Sequence, residues 1–401
     1  MRKLFIFSSM LLFVIACVLG VASASATPAS SSPASPPLPL TPANAAKYFA
    51  EATHDCRTDG GELWSVSMCG PMLFVDRVTR HVVASQADAD GQLRPGADGT
   101  FIGMLPPNET IANTSATWSG TRWIELMWPL PTDPAKRRTL LAHESYHFVQ
   151  AHVVPMVRSG DNTQLDTLYG RYTMRLEFRA LAAALRSHTD SARRQAADDA
   201  LLFRAARYHR FPEAQASEVA LERNEGLAEY TGVMIGNHTS EQRKAMAFAD
   251  IRSTRDDPSF VRSFAYGTGP AYGLLLNRYR LGWREQIMHS KVGLAAMLAS
   301  ELHLDLSHMP LDTLTARAAR YGGPALMAAE TARQAKHDRT IAHYRSILID
   351  GPVLMLPLEH MRVQFDPRNV LSLGKAGTVY PTMRIVDDWG SIDVEQGGGG
   401  C

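Results

Sequence analysis

Leu140-Leu141-Ala142-His143-Glu144-Ser145-Tyr146-His147-Phe148-Val149-Gln150 is the stretch on which the reading of this chain turns. Four residues along a helix carry a side chain through about 400°, so His143 and His147 stand one turn apart on one face and can offer imidazole nitrogens to a single metal ion. Glu144 projects about 100° away from His143. That suits it to a water on the metal, the place a hydrolytic general base must occupy. Thr132-Asp133-Pro134 supplies a capping side chain followed by proline at the first helical position, so the helix is expected to begin near residue 134. Leu141, Ser145, Phe148 and His152 fall on its opposite side, a packed back on which His152 is a core or rim residue. The longer H-E-x-x-H-x-x-G-x-x-H pattern fails, because Gln150 replaces its glycine and Val153 its third histidine.

A hydrolytic zinc site takes three protein ligands and keeps a fourth position for water, so another ligand must come from elsewhere. Glu222-Arg223-Asn224-Glu225-Gly226-Leu227-Ala228-Glu229-Tyr230 lies in a helix expected from about Pro212 to Ile235, where Gly226 and Ala228 are small enough for close approach to the first helix. Asn-Glu-Gly-Leu-Ala-Glu-Tyr, following H-E-x-x-H by several tens of residues, resembles the glutamate helix of the gluzincin metallopeptidases, the thermolysin-like and M1-like clan. The resemblance implies that Glu225 is the third ligand and that Glu229, one turn on, is a carboxylate holding a ligand histidine. Glu222 shares their ridge and reads as a solvated residue pairing with Arg223 or a nearby lysine.

Downstream, Phe264-Ala265-Tyr266-Gly267-Thr268-Gly269-Pro270-Ala271-Tyr272-Gly273 leads into an apolar helix from Leu274 to Tyr279. In M1-like peptidases a tyrosine three residues before a glycine donates to the oxyanion, and by that resemblance Tyr266 takes the role, with Tyr272 in reserve. A phosphate loop is a poor reading of the same run, since no strand precedes it and no lysine follows. The likeness covers roughly residues 120 to 285. It implies a zinc metallopeptidase in which Zn2+ sits on His143, His147 and Glu225, with Glu144 as the base and a peptide or protein as substrate. The Gly-x-Met-Glu-Asn element of M1 aminopeptidases is missing, so an aminopeptidase is not implied. The alternative is a zinc-stabilised binding or scaffold protein of zincin fold that cleaves nothing, against which the retained Glu144 argues.

With 401 residues, 45% of them hydrophobic, the chain can build a large core, and its formal charge of +1 gives no case for nucleic acid or an anionic membrane. Arg2-Lys3, the apolar run Leu4 to Val21 and Ala24-Ser25-Ala26 form a secretory signal peptide, residues 1–26, with cleavage after Ala26. Val14-Ile15-Ala16-Cys17 also fits a lipobox, which would anchor a lipoprotein at Cys17; soluble export, secreted or periplasmic, is the favoured reading. No transmembrane segment is expected after cleavage. Residues 27–43 form a Ser/Pro/Ala-rich linker. Cys56 and Cys69 suit a disulfide in an oxidising compartment, and the terminal Gly-Gly-Gly-Gly-Cys401 suggests no packing role.

The expected fold is α+β: a catalytic domain over 44–345, divided into a β-rich lobe (44–131) and a mostly helical zincin lobe (132–345), then a small β-rich module over 346–401. Trp64-Ser65-Val66-Ser67 and Met72 to Ala84 alternate like strands, and Asp88 to Gly99 reads as hairpin turns in preference to a cation loop. Trp123-Ile124-Glu125-Leu126-Met127-Trp128 is the candidate edge strand along which an extended substrate would pair. Helices are expected over Leu165–Leu185, Ser191–Tyr208 and from Pro270 to about Ile347, with Arg171, Arg175 and Glu177 in surface or interhelix ion pairs. Strands return at Val353–Leu358, Met361–Phe365, Val370–Leu373 and Val379–Val386.

Overall fold

Thr41 accepts a hydrogen bond from the Asn44 N–H and Pro42 occupies the first turn, so the chain opens its larger unit with a capped helix, α1 (Pro42–Asp59). This helix is not evident from the sequence pattern. The computed structural model describes residues 2–6, 38–107, 109–157, 160–365, 370–395 and 399–400. The fold is α+β. One compact unit is Pro37–Met327; the other comprises the chain from Ala328 together with β1 (Arg2–Ile6).

After α1, a disulfide joins Cys56 to Cys69. The intervening Trp64–Ser67 segment, expected as a strand, is a turn, with Ser65 at φ 57°. Burial of Trp64 in the helical core, its indole N–H donating to Thr231, explains an apolar residue there without a strand. Six strands come next: β2 (Met72–Asp76), β3 (His81–Ala84), β4 (Arg94–Pro95), β5 (Phe101–Met104), β6 (Thr114–Trp118) and β7 (Thr121–Trp128), in the order β4-β5-β3-β2-β7-β6. Only β2 and β7 run parallel. The Asp88 carboxylate accepts the N–H groups of Gln92 and Leu93, and Asp98-Gly99 closes the β4–β5 hairpin, the turn reading expected for this stretch.

The expectation that Trp123–Trp128 forms the sheet edge is overturned. β7 lies between β2 and β6, and both of its faces are covered: Ile124 and Leu126 pack toward α1, Trp123 toward Leu73, Val75 and Val82. A strand apolar on both faces belongs in a sheet interior. The edge is β6, whose Thr114, Ser115 and Thr117 are the polar residues an edge tolerates.

The helices begin with α2 (Pro134–Val153), capped by the Asp133 carboxylate on the Lys136 N–H. Then come α3 (Leu168–Arg186), α4 (Asp190–Arg210), α5 (Ala214–Leu221), a π-helical turn at Glu222–Gly226, α6 (Leu227–Gly236), α7 (Ser240–Arg255) and α8 (Phe264–Tyr279). The α8 helix starts ten residues before Leu274, with Pro270 inside it. The unit ends in α9 (Trp283–His289), α10 (Leu294–Glu301) and α11 (Leu314–Ala319); α12 (Gly323–Leu348) spans the division between the units. The glycines act differently from expectation. Gly232 and Gly236 bring α6 onto α2, where a Cβ would stand 2.5 and 2.6 Å from the Thr139 backbone, whereas Gly226 packs on Gly269 of α8.

The division at Met327 falls before the 345/346 boundary expected from composition. The smaller unit holds β8 (Leu354–Leu358), β9 (Arg362–Phe365), β10 (Leu371–Ser372), β11 (Thr378–Tyr380), β12 (Met383–Asp387), β13 (Gly390–Val394) and β14 (Gly399–Gly400). Strand β14 pairs with β1 and β11, so the terminal glycines do join a sheet. The β1 strand pairs with β8 and comes from the head of the segment expected to be a signal peptide, so cleavage after Ala26 would remove it. The rest of that segment, Cys17, most of the Ser/Pro/Ala linker and Cys401 lie outside the described residues. No helix among the described residues is long and apolar enough to cross a membrane.

Candidate metal centre

Helical spacing on α2 brings the His143 and His147 Nε2 atoms within 3.1 Å, and Glu225 Oε2, from the π turn, lies 3.7 and 3.5 Å from them. A π turn inserts one residue into the helical repeat and re-aims the side chains beyond it, a distortion that recurs at functional sites. The equidistant point nearest to three atoms so spaced, in their plane, lies about 2.0 Å from each, the length of a zinc bond to imidazole or carboxylate.

The hydrogen atoms make the stronger case. Glu229 Oε2 lies 2.7 Å from His143 Nδ1 and can only accept, so the Nδ1 hydrogen faces it and the Nε2 lone pair faces the cluster. His147 Nδ1 lies 2.8 Å from Gln150 Oε1, and Gln150 is fixed in that orientation because its amide nitrogen donates to the Arg223 and Asn224 carbonyls. Two imidazole lone pairs and a carboxylate oxygen thus converge with no hydrogen between them, the oxygen accepting only from the Tyr266 hydroxyl among the described residues. Such a set calls for a cation, and His143, His147 and Glu225 fit a metal ion.

Without an ion, protons must serve. Burial alone would lower the His143 imidazolium, but the Glu225 and Glu229 carboxylates raise it from 6.5 to about 10. Burial likewise opposes Glu225, whose carboxyl is nonetheless held well below the ordinary range by His143, His147 and the Tyr266 hydroxyl. Because the folded value for His143 exceeds the unfolded one, the proton's contribution to stability is full below 6.5 and fades as pH climbs toward about 10. The melting temperature of chelator-treated protein is therefore expected to fall across that interval, and zinc uptake within it to release protons. A flat melting profile with no proton release would contradict this arrangement.

Glu144, the residue after His143, is buried, and its Oε2 has no hydrogen-bond partner among the described residues. Burial raises its carboxyl above the usual range, against the pull of both histidines. Tyr266 donates to Glu225 Oε2 at 2.8 Å and stacks on the His143 ring, the planes 4° apart. Asn224 donates to the other Glu225 oxygen. These groups line a cleft of about 650 Å³, walled on one side by Asn113, Thr114 and Ser115 of the sheet edge.

Other expectations fall outside the centre. Tyr272 is buried away from it, its hydroxyl donating to Glu177. Glu222 is not solvated but fully buried, accepting from both terminal nitrogens of Arg204 and from Thr268, because the ridge it shares with Glu225 turns inward between α4 and α8. Glu177 too is buried, between Arg204 and Arg207. His152 is exposed. Gln150, which in the sequence stands out only as a missing glycine, steadies the His147 ring; its place three residues after that histidine, on the same helical face, is the signal that points to the role. A second group, His360 with Asp387 and Asp388, is a turn whose Asp387 carboxylate already accepts three backbone N–H groups.

The Gly226–Gly269 contact sets where Glu225 sits. A Cβ on Gly269 would stand 2.3 Å from the Gly226 Cα and 2.4 Å from its carbonyl oxygen, so α8 and the π turn would have to part. Gly269→Ala is expected to lower stability by about 1–3 kcal/mol and to weaken zinc binding, measured by thermal melting and calorimetric titration. Unchanged zinc affinity would show that the contact does not position the carboxylate.

The chain matches no protein-family model, and comparison with curated proteins and with solved structures likewise finds no match.

Proposed function

We propose that this protein is a zinc metallopeptidase of gluzincin type, hydrolysing peptide bonds outside the cytoplasm. The observation that carries the reading is the convergence of the His143 and His147 lone pairs with a Glu225 carboxylate oxygen, beside the Glu144 carboxyl whose Oε2 has no partner among the described residues. Zinc held there would supply a Lewis acid that lowers the pKa of a water and polarises a carbonyl. Three ligands leave it an open position, which a purely structural site would close.

The chain's own residues then have defined tasks. Glu144 takes a proton from the attacking water and delivers it to the amine as the C–N bond breaks; the water's hydroxyl remains on the carbonyl carbon. Burial raises its carboxyl above the usual range, which favours its taking up that proton. The Tyr266 hydroxyl is positioned to donate to the carbonyl oxygen as negative charge develops, and burial with the neighbouring Glu225 charge keeps that phenol protonated. Glu229 and Gln150 hold the two imidazoles in orientation. The open edge of β6 beside the cleft offers main-chain groups to an extended peptide, which favours a peptide over a compact substrate.

Export is supported by the segment ending at Ala26 and by the Cys56–Cys69 disulfide. The test is a digest of a mixed peptide library by zinc-loaded protein beside Glu144→Gln. Cleavage by the first and not the second supports the enzyme; bound zinc with cleavage by neither supports the scaffold alternative.

A further inference from the structure

Apart from the metal-site groups, the charged side chains lining the cleft are two arginines, Arg122 and Arg262. They come from different segments of the chain. Arg122 opens β7 beside the sheet edge, where its Nε donates to Ser115 Oγ at 2.9 Å and its guanidinium carbon lies 4.9 Å from the centre of the Phe148 ring. Phe148 belongs to α2, so this arginine is anchored against the helix that carries His143 and His147. Arg262 stands one turn before Tyr266, at the entrance to α8.

Neither guanidinium meets a carboxylate among the described residues. Among the described residues Arg122 has no ion pair and no hydrogen bond from its terminal nitrogens, and Arg262 has no polar partner at all. Elsewhere in the same unit arginines are commonly matched with acids, as Arg137 is with Glu51, Arg280 with Glu301 and Arg320 with Asp199. Both are exposed to the solvent that fills the cleft. A planar guanidinium with its terminal nitrogens free is a bidentate receptor for a carboxylate, and two of them give the cleft lining a positive field.

We propose that the cleft selects acidic peptides, with Arg122 and Arg262 each receiving a carboxylate of the substrate. The proposal rests on the peptidase reading and names the substrate class for it. The carboxylates come either from Asp and Glu side chains or from a free peptide C-terminus. The two sources separate when each peptide is supplied both amidated and with a free terminus.

The test uses zinc-loaded full-length protein and fluorogenic peptides that carry Glu, Gln or Lys at successive positions around one bond. Expected is a preference for Glu over Gln of roughly fivefold in kcat/KM per guanidinium, shrinking at high salt. It should be reduced in Arg122→Ala and turned toward Lys in Arg262→Glu. Preference confined to free-terminus peptides assigns the arginines to the C-terminal carboxylate. Equal cleavage of all three series, or a preference that both substitutions leave intact, overturns the proposal. Affinity is read separately, as fluorescence anisotropy of the same peptides on Glu144→Gln. Tight, salt-sensitive binding of Glu peptides without turnover by wild type would keep the acidic specificity while removing the peptidase assignment; cleavage without charge preference would do the reverse.

Discussion

Glu144→Gln is expected to lower peptide hydrolysis by about 10²–10⁴-fold while zinc content and melting temperature stay close to wild type. The substitution keeps the side chain's size and polarity but removes its capacity to accept a proton. Because Glu144 is buried and its Oε2 unpartnered, no ion pair is broken by the change. His143, His147 and Glu225 remain within reach of one another, so the metal has no reason to leave. A variant retaining more than about a tenth of wild-type kcat would show that another group accepts the proton. A variant that lost its zinc would instead show that Glu144 helps to hold the ion, contrary to its role as the base.

The second large effect is on stability. Glu177, Arg204, Arg207, Glu218 and Glu222 are fully buried and join α3, α4, α5 and the π turn, with Tyr272 and Thr268 of α8 completing the network. Burial would raise the Glu177 carboxyl, but Arg204 and Arg207 hold it below the ordinary value. Arg204→Ala leaves Glu222 and one oxygen of Glu177 without their cation, and removing one partner of a buried set is expected to destabilise by about 3–5 kcal/mol. The melting temperature should then drop by about 10 °C. Glu222 lies three residues before Glu225 in the same turn, so a loss of zinc affinity should accompany the loss of stability. A change under about 1 kcal/mol would mean that water or rearranged side chains satisfy these groups.

How much of the site is legible in the sequence depends on how local each signal is. The two histidines, Glu144 and the α2 cap lie within one continuous helix, and helical geometry fixes their relation without reference to the rest of the chain. Glu225, Glu229 and Tyr266 arrive from other elements; family likeness brings them forward, and in the fold they meet at His143. The π turn leaves no mark in the residue pattern, since one inserted residue in a helix does not change its composition. Glu222 misleads because a row of glutamates looks the same whether it faces water or a buried arginine eighteen residues upstream. The sheet edge misleads for a related reason. Strand order depends on pairing partners distant in sequence, and the cue that β7 is interior, apolar side chains on both faces, reads in isolation only as the mark of a strand.

Zinc stoichiometry in the purified full chain tests the central claim most directly. After zinc loading and dialysis, elemental analysis should find about one equivalent in wild type and in Glu144→Gln, and a marked loss in Glu225→Ala folded to the same degree by circular dichroism. Wild-type protein without bound zinc, or Glu225→Ala binding it as tightly as wild type, would contradict a metal centre formed by two α2 imidazoles and the π-turn carboxylate.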